Sequence, residues 1–178
     1  RGPDLHDVLA GRAAPMEAVE RIGSVRFLPC GRTLAGARAA DLERFRETVE
    51  VLDRQCGGVV VDCPAGLARD VGVQIAAADL SVLVATPTRP ALENAVAVAR
   101  LARRVGTPVA SVVLNRASVP DDDPVAERVE SELSTATTLV PEHDSVAAAQ
   151  AADRPVRDRS PDSSAVESFA AIARTIER

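Results

Sequence analysis

Residues 59–66 read Val-Val-Val-Asp-Cys-Pro-Ala-Gly: three β-branched residues run into Asp62, and the chain then turns through Pro64, Ala65 and Gly66. β-Branched residues suit a pleated, packed strand, and Pro and Gly suit the turn after it, so the stretch predicts a strand over Val59–Asp62 that delivers a carboxylate to a loop. In phosphate-handling proteins an aspartate so placed holds the magnesium of a bound nucleotide, and a glycine-rich loop with a lysine holds the phosphates. All 21 basic residues of this chain are arginine, and no G-x-x-x-x-G-K-[ST] stretch precedes Val59.

The pattern extends in both directions from that strand. On the N-terminal side, apolar Leu42, Phe45, Val49 and Leu52 recur at spacings of three and four, predicting an amphipathic helix over Asp41–Gln55 that Gly57 and Gly58 end. Before it stand two short helical stretches, Leu5–Leu9 and Pro15–Glu20, and a short strand, Val25–Leu28, broken by Pro29, Cys30 and Gly31. On the C-terminal side helices and strands alternate. The expected order is helix 70–78, strand 80–85, helix 91–104, strand 109–114, helix 125–133, strand 138–140, helix 145–152 and helix 163–176. The last helix should turn Val166, Phe169, Ala173 and Ile176 toward the sheet. Nearly continuous apolar strands alternating with helices indicate right-handed crossovers and a sheet buried on both faces. The fold expected is α/β, a doubly wound, mainly parallel sheet with helices on both faces.

Composition narrows the function. The 178 residues fit one domain with a sizeable core. With no Trp or Tyr and three Phe, the chain lacks stacking platforms for bases, and at net charge −5 its arginines are interleaved with acids. Direct nucleic-acid binding is therefore not expected. Cys30, Cys56 and Cys63 fit no zinc spacing and read as buried free thiols of a reducing cytoplasm. His6 and His143 lie far apart in sequence and suggest no Ser-His-Asp arrangement. No apolar run reaches the roughly 20 residues of a membrane span, and the first residues, beginning at Arg1, do not form a signal segment.

Ligands of open parallel sheets bind beyond the carboxyl ends of the strands. Those ends carry Asp62-Cys63-Pro64-Ala65-Gly66, Thr86-Pro87-Thr88, Asn115-Arg116 and Pro141-Glu142-His143-Asp144. Asp62 can accept hydrogen bonds from magnesium-bound water, or it can cap the turn that follows. Asn115 can donate to and accept from the edge of an adenine, or serve as a turn asparagine. Gly66 either lets a ligand approach the backbone or only permits a turn.

Taken in order, these segments resemble the MinD/ParA family of deviant Walker P-loop ATPases, most closely its MinD branch. DLHDVLAG at 4–11 and FLPCG at 27–31 are similar to segments that follow the family's second strand. VVVDCPAGL at 59–67 is similar to its Walker B and switch II, and SVLVATPTRPALENA at 81–95 to its next strand and helix. VVLNR at 112–116 resembles its adenine-side Asn-Arg pair. LVPEHDSVAAAQAADRPV at 139–156 resembles its V-P-E-D-x-x-V segment and downstream G-x-P-V.

The resemblance implies an ATP-binding switch for spatial organisation, either placing the cell-division site or positioning other cargo, that dimerises through ATP and Mg2+ and recruits a protein partner. It places Asp62 on magnesium through water and the backbone of Pro64, Ala65 and Gly66 near the γ-phosphate. It places Asn115 and Arg116 beside the adenine, with Pro141 and Glu142 closing the base pocket. Such a protein is cytoplasmic, and membrane association would come through partners, since membrane anchoring by this chain is not expected. The family's phosphate loop, its lysine and its first two strands find no counterpart in residues 1–178. The expectation is thus a single MinD/ParA-like ATPase domain whose N-terminal part is missing, marginally folded by itself and unable to hydrolyse ATP. The competing readings are a degenerate, nucleotide-independent partner-binding module of the same fold, and a receiver-like or flavodoxin-like domain. The second leaves the V-P-E segment and the Asn-Arg pair unexplained.

Overall fold

The computed structural model describes residues 2–118 and 120–176, which fall into two units: residues up to Pro64 with Ala68–Ala77, and Ala65–Leu67 with the residues from Ala78 onward. Among the described residues no helix is long and apolar enough to cross a membrane.

In the first unit, α1 (Leu5–Leu9) starts at Asp4, whose carboxylate accepts from the Asp7 amide while the Asp7 carboxylate accepts from the Asp4 amide, each at 3.2 Å. This reciprocal cap satisfies donors that the first turn leaves free. Asp7 also pairs with Arg12 at 2.8 Å. The guanidinium, then the Asp4 contact, hold the Asp7 carboxyl below its ordinary value. A Cβ on Gly31 would stand 1.6 Å from His6 Nδ1, so only glycine lets this loop close over α1. A two-residue turn joins β1 (Glu20–Ile22) to β2 (Val25–Phe27) in an antiparallel hairpin. The charged Glu20 and Arg21 masked β1 in the sequence pattern. Helix α2 (Leu34–Ala39), N-capped by Thr33, was also missed.

The helix expected over Asp41–Gln55 forms as a 3-10 turn, Leu42–Arg44, leading into α3 (Phe45–Cys56). Its buried face is Phe45, Thr48 and Leu52. Thr48 rather than Val49 turns inward because its hydroxyl donates to the Arg44 carbonyl at 2.9 Å, which removes the cost of burying it. Helix α4 (Arg69–Ala77) packs Val71 and Ile75 inward, and Arg46 of α3 donates to the Ala76 carbonyl of α4.

The strand expected over Val59–Asp62 is not formed: residues 58–64 are irregular and Val60 is 98% exposed. The apolar pattern is present, but a strand also needs a neighbour for its backbone donors and acceptors, and none pairs with it among the described residues.

The second unit is a parallel sheet in the order β3-β4-β5, formed by β3 (Ser81–Ala85), β4 (Val109–Ala117) and β5 (Thr137–Pro141). Helix α5 (Arg89–Val105) joins β3 to β4, and α6 (Asp123–Leu133) joins β4 to β5. Leu83, Ala85, Val112 and Leu114 pack with Ala95 and Ala99 of α5 and Val129 and Leu133 of α6. After β5 come α7 (Asp144–Ala151), α8 (Val156–Arg159) and α9 (Ser164–Ile176), and α9 lies against β4 and β5. The α/β fold with a parallel sheet flanked on both faces is therefore as expected.

Helix α9 faces the sheet differently from the expectation. Ala165 is fully buried, whereas Phe169 and Ile176 are 40% and 39% exposed and Ala173 is exposed. The inward row runs through Ala165, Ser168, Ile172 and Thr175, the last three half-buried. Ser168 and Thr175 return their hydroxyls to the carbonyls of Ser164 and Ala171, so small and self-satisfied side chains permit close approach. β3 ends the sheet: Val84 is 66% exposed, and no described strand pairs with its outer edge.

Candidate functional site

The carboxyl edge of the three-stranded sheet brings four of the expected site residues together. Asn115 is paired with Val140 and Ala117 with Pro141, and the register shifts between them so that Arg116 is the extra residue of a bulge. Arg116 lies at φ 59, a left-handed conformation that costs an ordinary side chain free energy, and it is exposed. Asn115 and Arg116 were expected just after a strand ending at Leu114. They lie instead inside β4, which runs on to Ala117. A bulge re-aims side chains at a sheet margin, and here it turns Arg116 out beside the end of β5. Nothing in the composition of Asn115-Arg116 announces it, because the bulge depends on pairing with β5.

Asn115 Oδ1 accepts from the Arg116 amide at 3.1 Å, which is the turn-forming role. Asn115 is half-buried, and its carboxamide nitrogen has no hydrogen bond among the described residues. Pro141 is half-buried as the last residue of β5, and Glu142 follows it, exposed. Next along the edge, Ala85 pairs with Leu114, so the Thr86-Pro87-Thr88 turn stands beside Asn115. That turn is held by the Thr88 amide on the Thr86 carbonyl at 2.8 Å and by a 3.2 Å contact between the two hydroxyls. The edge therefore offers an amide donor, a guanidinium, a carboxylate and two hydroxyls around one sheet margin.

Asp62 and Pro64 belong to the first unit. The Asp62 carboxylate is exposed and has no hydrogen bond or ion pair among the described residues. An exposed carboxylate free of protein partners fits a role toward hydrated magnesium, a hard cation that keeps several of its waters. The thiols are free but not buried as expected, Cys30 and Cys63 being exposed and Cys56 half-buried; partial desolvation, then the charges of Asp62 and Asp70, hold the Cys63 thiol above its ordinary value. No group of three or more potential metal-ligating side chains occurs among the described residues. Ala65 and Gly66 belong to the second unit. Gly66 adopts φ 103, and a Cβ there would meet nothing within 4 Å. Its conformation, not lack of space, is what requires glycine, and open space remains over its backbone.

No protein-family model matches the chain. Among curated proteins, an uncharacterised ATP-binding protein of Methanocaldococcus jannaschii is 29% identical to it, over 95% of this chain and 65% of the relative. The chain spans less than two thirds of the length of the curated relatives it matches. Among solved structures, the cell division ATPase MinD of Pyrococcus furiosus superposes with a TM-score of 0.87 at 26% identity, covering 98% of this chain and 75% of that one. The septum site-determining protein MinD of Pyrococcus horikoshii, complexed with Mg-ADP, superposes with a TM-score of 0.83 at 23% identity, covering 94% and 70%.

Proposed function

We propose that residues 1–178, which are similar to ATPases of the MinD/ParA family, form the base-side and switch part of an ATP-binding protein that places the cell-division site or positions other cargo. The observation that carries this reading is the edge where Asn115 and Arg116, re-aimed by the β4 bulge, adjoin Pro141 and Glu142. On this reading the Asn115 carboxamide meets the adenine edge, Arg116 lies beside the base, and Pro141 and Glu142 close the base pocket. Asp62 accepts from water on the magnesium ion, and the backbone at Pro64, Ala65 and Gly66 lies near the γ-phosphate. When bound, the metal neutralises phosphate charge, and Asp62 orients its water shell. The phosphate-binding lysine and its loop would be supplied by residues outside 1–178.

The relative with Mg-ADP bound supports this choice of ligand, and the ATP-binding name of the Methanocaldococcus relative is consistent with it. Dimerisation around nucleotide, and a protein partner recruited by the ATP-bound form, are the further parts of the proposal. The test uses the whole protein. Asn115→Ala should weaken ATP binding by roughly tenfold, the worth of a lost buried hydrogen bond. Asp62→Asn should raise the magnesium concentration that hydrolysis requires while leaving nucleotide bound. ATP affinity unchanged in Asn115→Ala, with the magnesium requirement unchanged in Asp62→Asn, would overturn the assignment.

A further inference from the structure

His143 stands directly after Glu142 and occupies the N-cap position of α7, with extended backbone at φ −129 and ψ 123. An N-cap side chain ordinarily accepts from an amide of its own helix. The His143 side chain does not. Its backbone carbonyl accepts from the Val146 amide at 3.0 Å, and its ring is turned away toward α9. There Nδ1 lies 3.4 Å from Oγ of Ser164, the first residue of α9, a bond that either imidazole tautomer can make. The other ring nitrogen, Nε2, is inaccessible and has no partner among the described residues, as is the adjacent Ser163 Oγ. Burying those atoms unpaired costs desolvation free energy that a ring swung out to water would not incur. The ring is thus wedged between the end of β5 and the start of α9 rather than resting on the surface.

We infer that His143 is a positioning residue that ties the Pro141-Glu142 segment to α9 through Ser164, so that the placement of α9 and the shape of the base-side edge depend on one another. The inference rests on the reading of that edge as the base side of a nucleotide site. The backbone path between the two is short: Pro141 is held to Ala117 next to the Arg116 bulge, Glu142 follows, and His143 anchors the far side of Glu142. Helix α9 lies on β4 and β5, the two strands that carry the edge. With the anchor removed, Glu142 is fixed only by Pro141 on one side and by α7 on the other. Base-dependent contacts should suffer, while contacts made by residues elsewhere should not.

The experiment measures binding of ATP and of GTP to the whole protein by titration calorimetry, with wild type, His143→Ala, His143→Asn, Ser164→Ala and the double variant His143→Ala/Ser164→Ala. Each alanine variant should weaken ATP binding by roughly three- to tenfold and lower the preference for ATP over GTP by a similar factor, the range of one neutral hydrogen bond. The double variant should be no worse than the worse single one, since both remove the same link. Asparagine places a carboxamide near the position of Nδ1, so His143→Asn should recover ATP affinity and preference to within about twofold of wild type. A merely structural histidine would lower the thermal midpoint without moving base preference and would not distinguish Asn from Ala. Ser164 is exposed, so its alanine variant tests the link even if His143→Ala fails to fold. Unchanged base preference in Ser164→Ala, additive losses, or no recovery by Asn would overturn the inference while leaving the nucleotide reading in place. A wild-type protein that binds neither nucleotide would remove both.

Discussion

The Cys63 thiol shows how closely one residue reports its surroundings. Partial desolvation and the charges of Asp62 and Asp70 raise its ionisation above the ordinary thiol value, so less thiolate is present at a given pH. Alkylation of Cys63 at pH 8 should therefore speed up in Asp70→Asn, and an unchanged rate would show that the carboxylate does not act on the thiol. Asp7 works in the other direction: its folded value is depressed by Arg12 and the Asp4 contact. Its stabilisation is present above the ordinary carboxylate value of about 4 and is lost as pH falls through the depressed folded value. Asp7→Asn should accordingly lower the thermal midpoint at neutral pH, with the difference from wild type closing as pH falls through the depressed folded value. Single-residue roles were unevenly legible in the sequence. Asp62 and the Asn115-Arg116 pair stood out as candidates because each closes an apolar run and ligands bind at strand ends. The left-handed Arg116 and the choice of Thr48 over Val49 did not, because each depends on a backbone partner that only the fold supplies.

At the scale of the element, burial separates the strands that form from the one that does not. β3, β4 and β5 were readable as nearly continuous apolar runs, and their parallel direction followed from the alternation with helices. VVVD carries an equally strong pattern, yet Val60 is 98% exposed and no described strand pairs with it. Amide exchange on residues 1–178 should find Val112–Leu114 protected and Val60–Asp62 exchanging quickly, and protection at Val60–Asp62 would contradict the unpaired state. Packing gives a second contrast. Leu114 is fully buried at the centre of the sheet, so Leu114→Ala should cost about 2–5 kcal/mol. Val84, 66% exposed on the open side of β3, should cost about 0.5 kcal/mol or less on the same substitution in denaturant unfolding. Helix α9 misled the sequence reading for a related reason. Its large apolar residues suggested an inward face, but close approach to the sheet favours the row through Ala165, Ser168 and Ile172, leaving Phe169 partly in solvent.

For the whole molecule, the proposed base-side edge and the proposed switch segment fall in different units. The edge is built entirely within the second unit, by β4, β5 and the turns after them. Asp62 sits on irregular backbone in the first unit, with no hydrogen bond or ion pair among the described residues. Residues 1–178 hold no lysine, and the phosphates of a nucleotide need one together with a cradle of amides. The central claim is that this segment carries recognisable parts of an ATP site that bind only in the context of the longer protein. Calorimetric titration of magnesium-ATP into residues 1–178 and into the whole protein tests it most directly. Saturable, magnesium-dependent binding by the whole protein with none by residues 1–178 is the result expected; equal binding by both, or binding by neither, would contradict it.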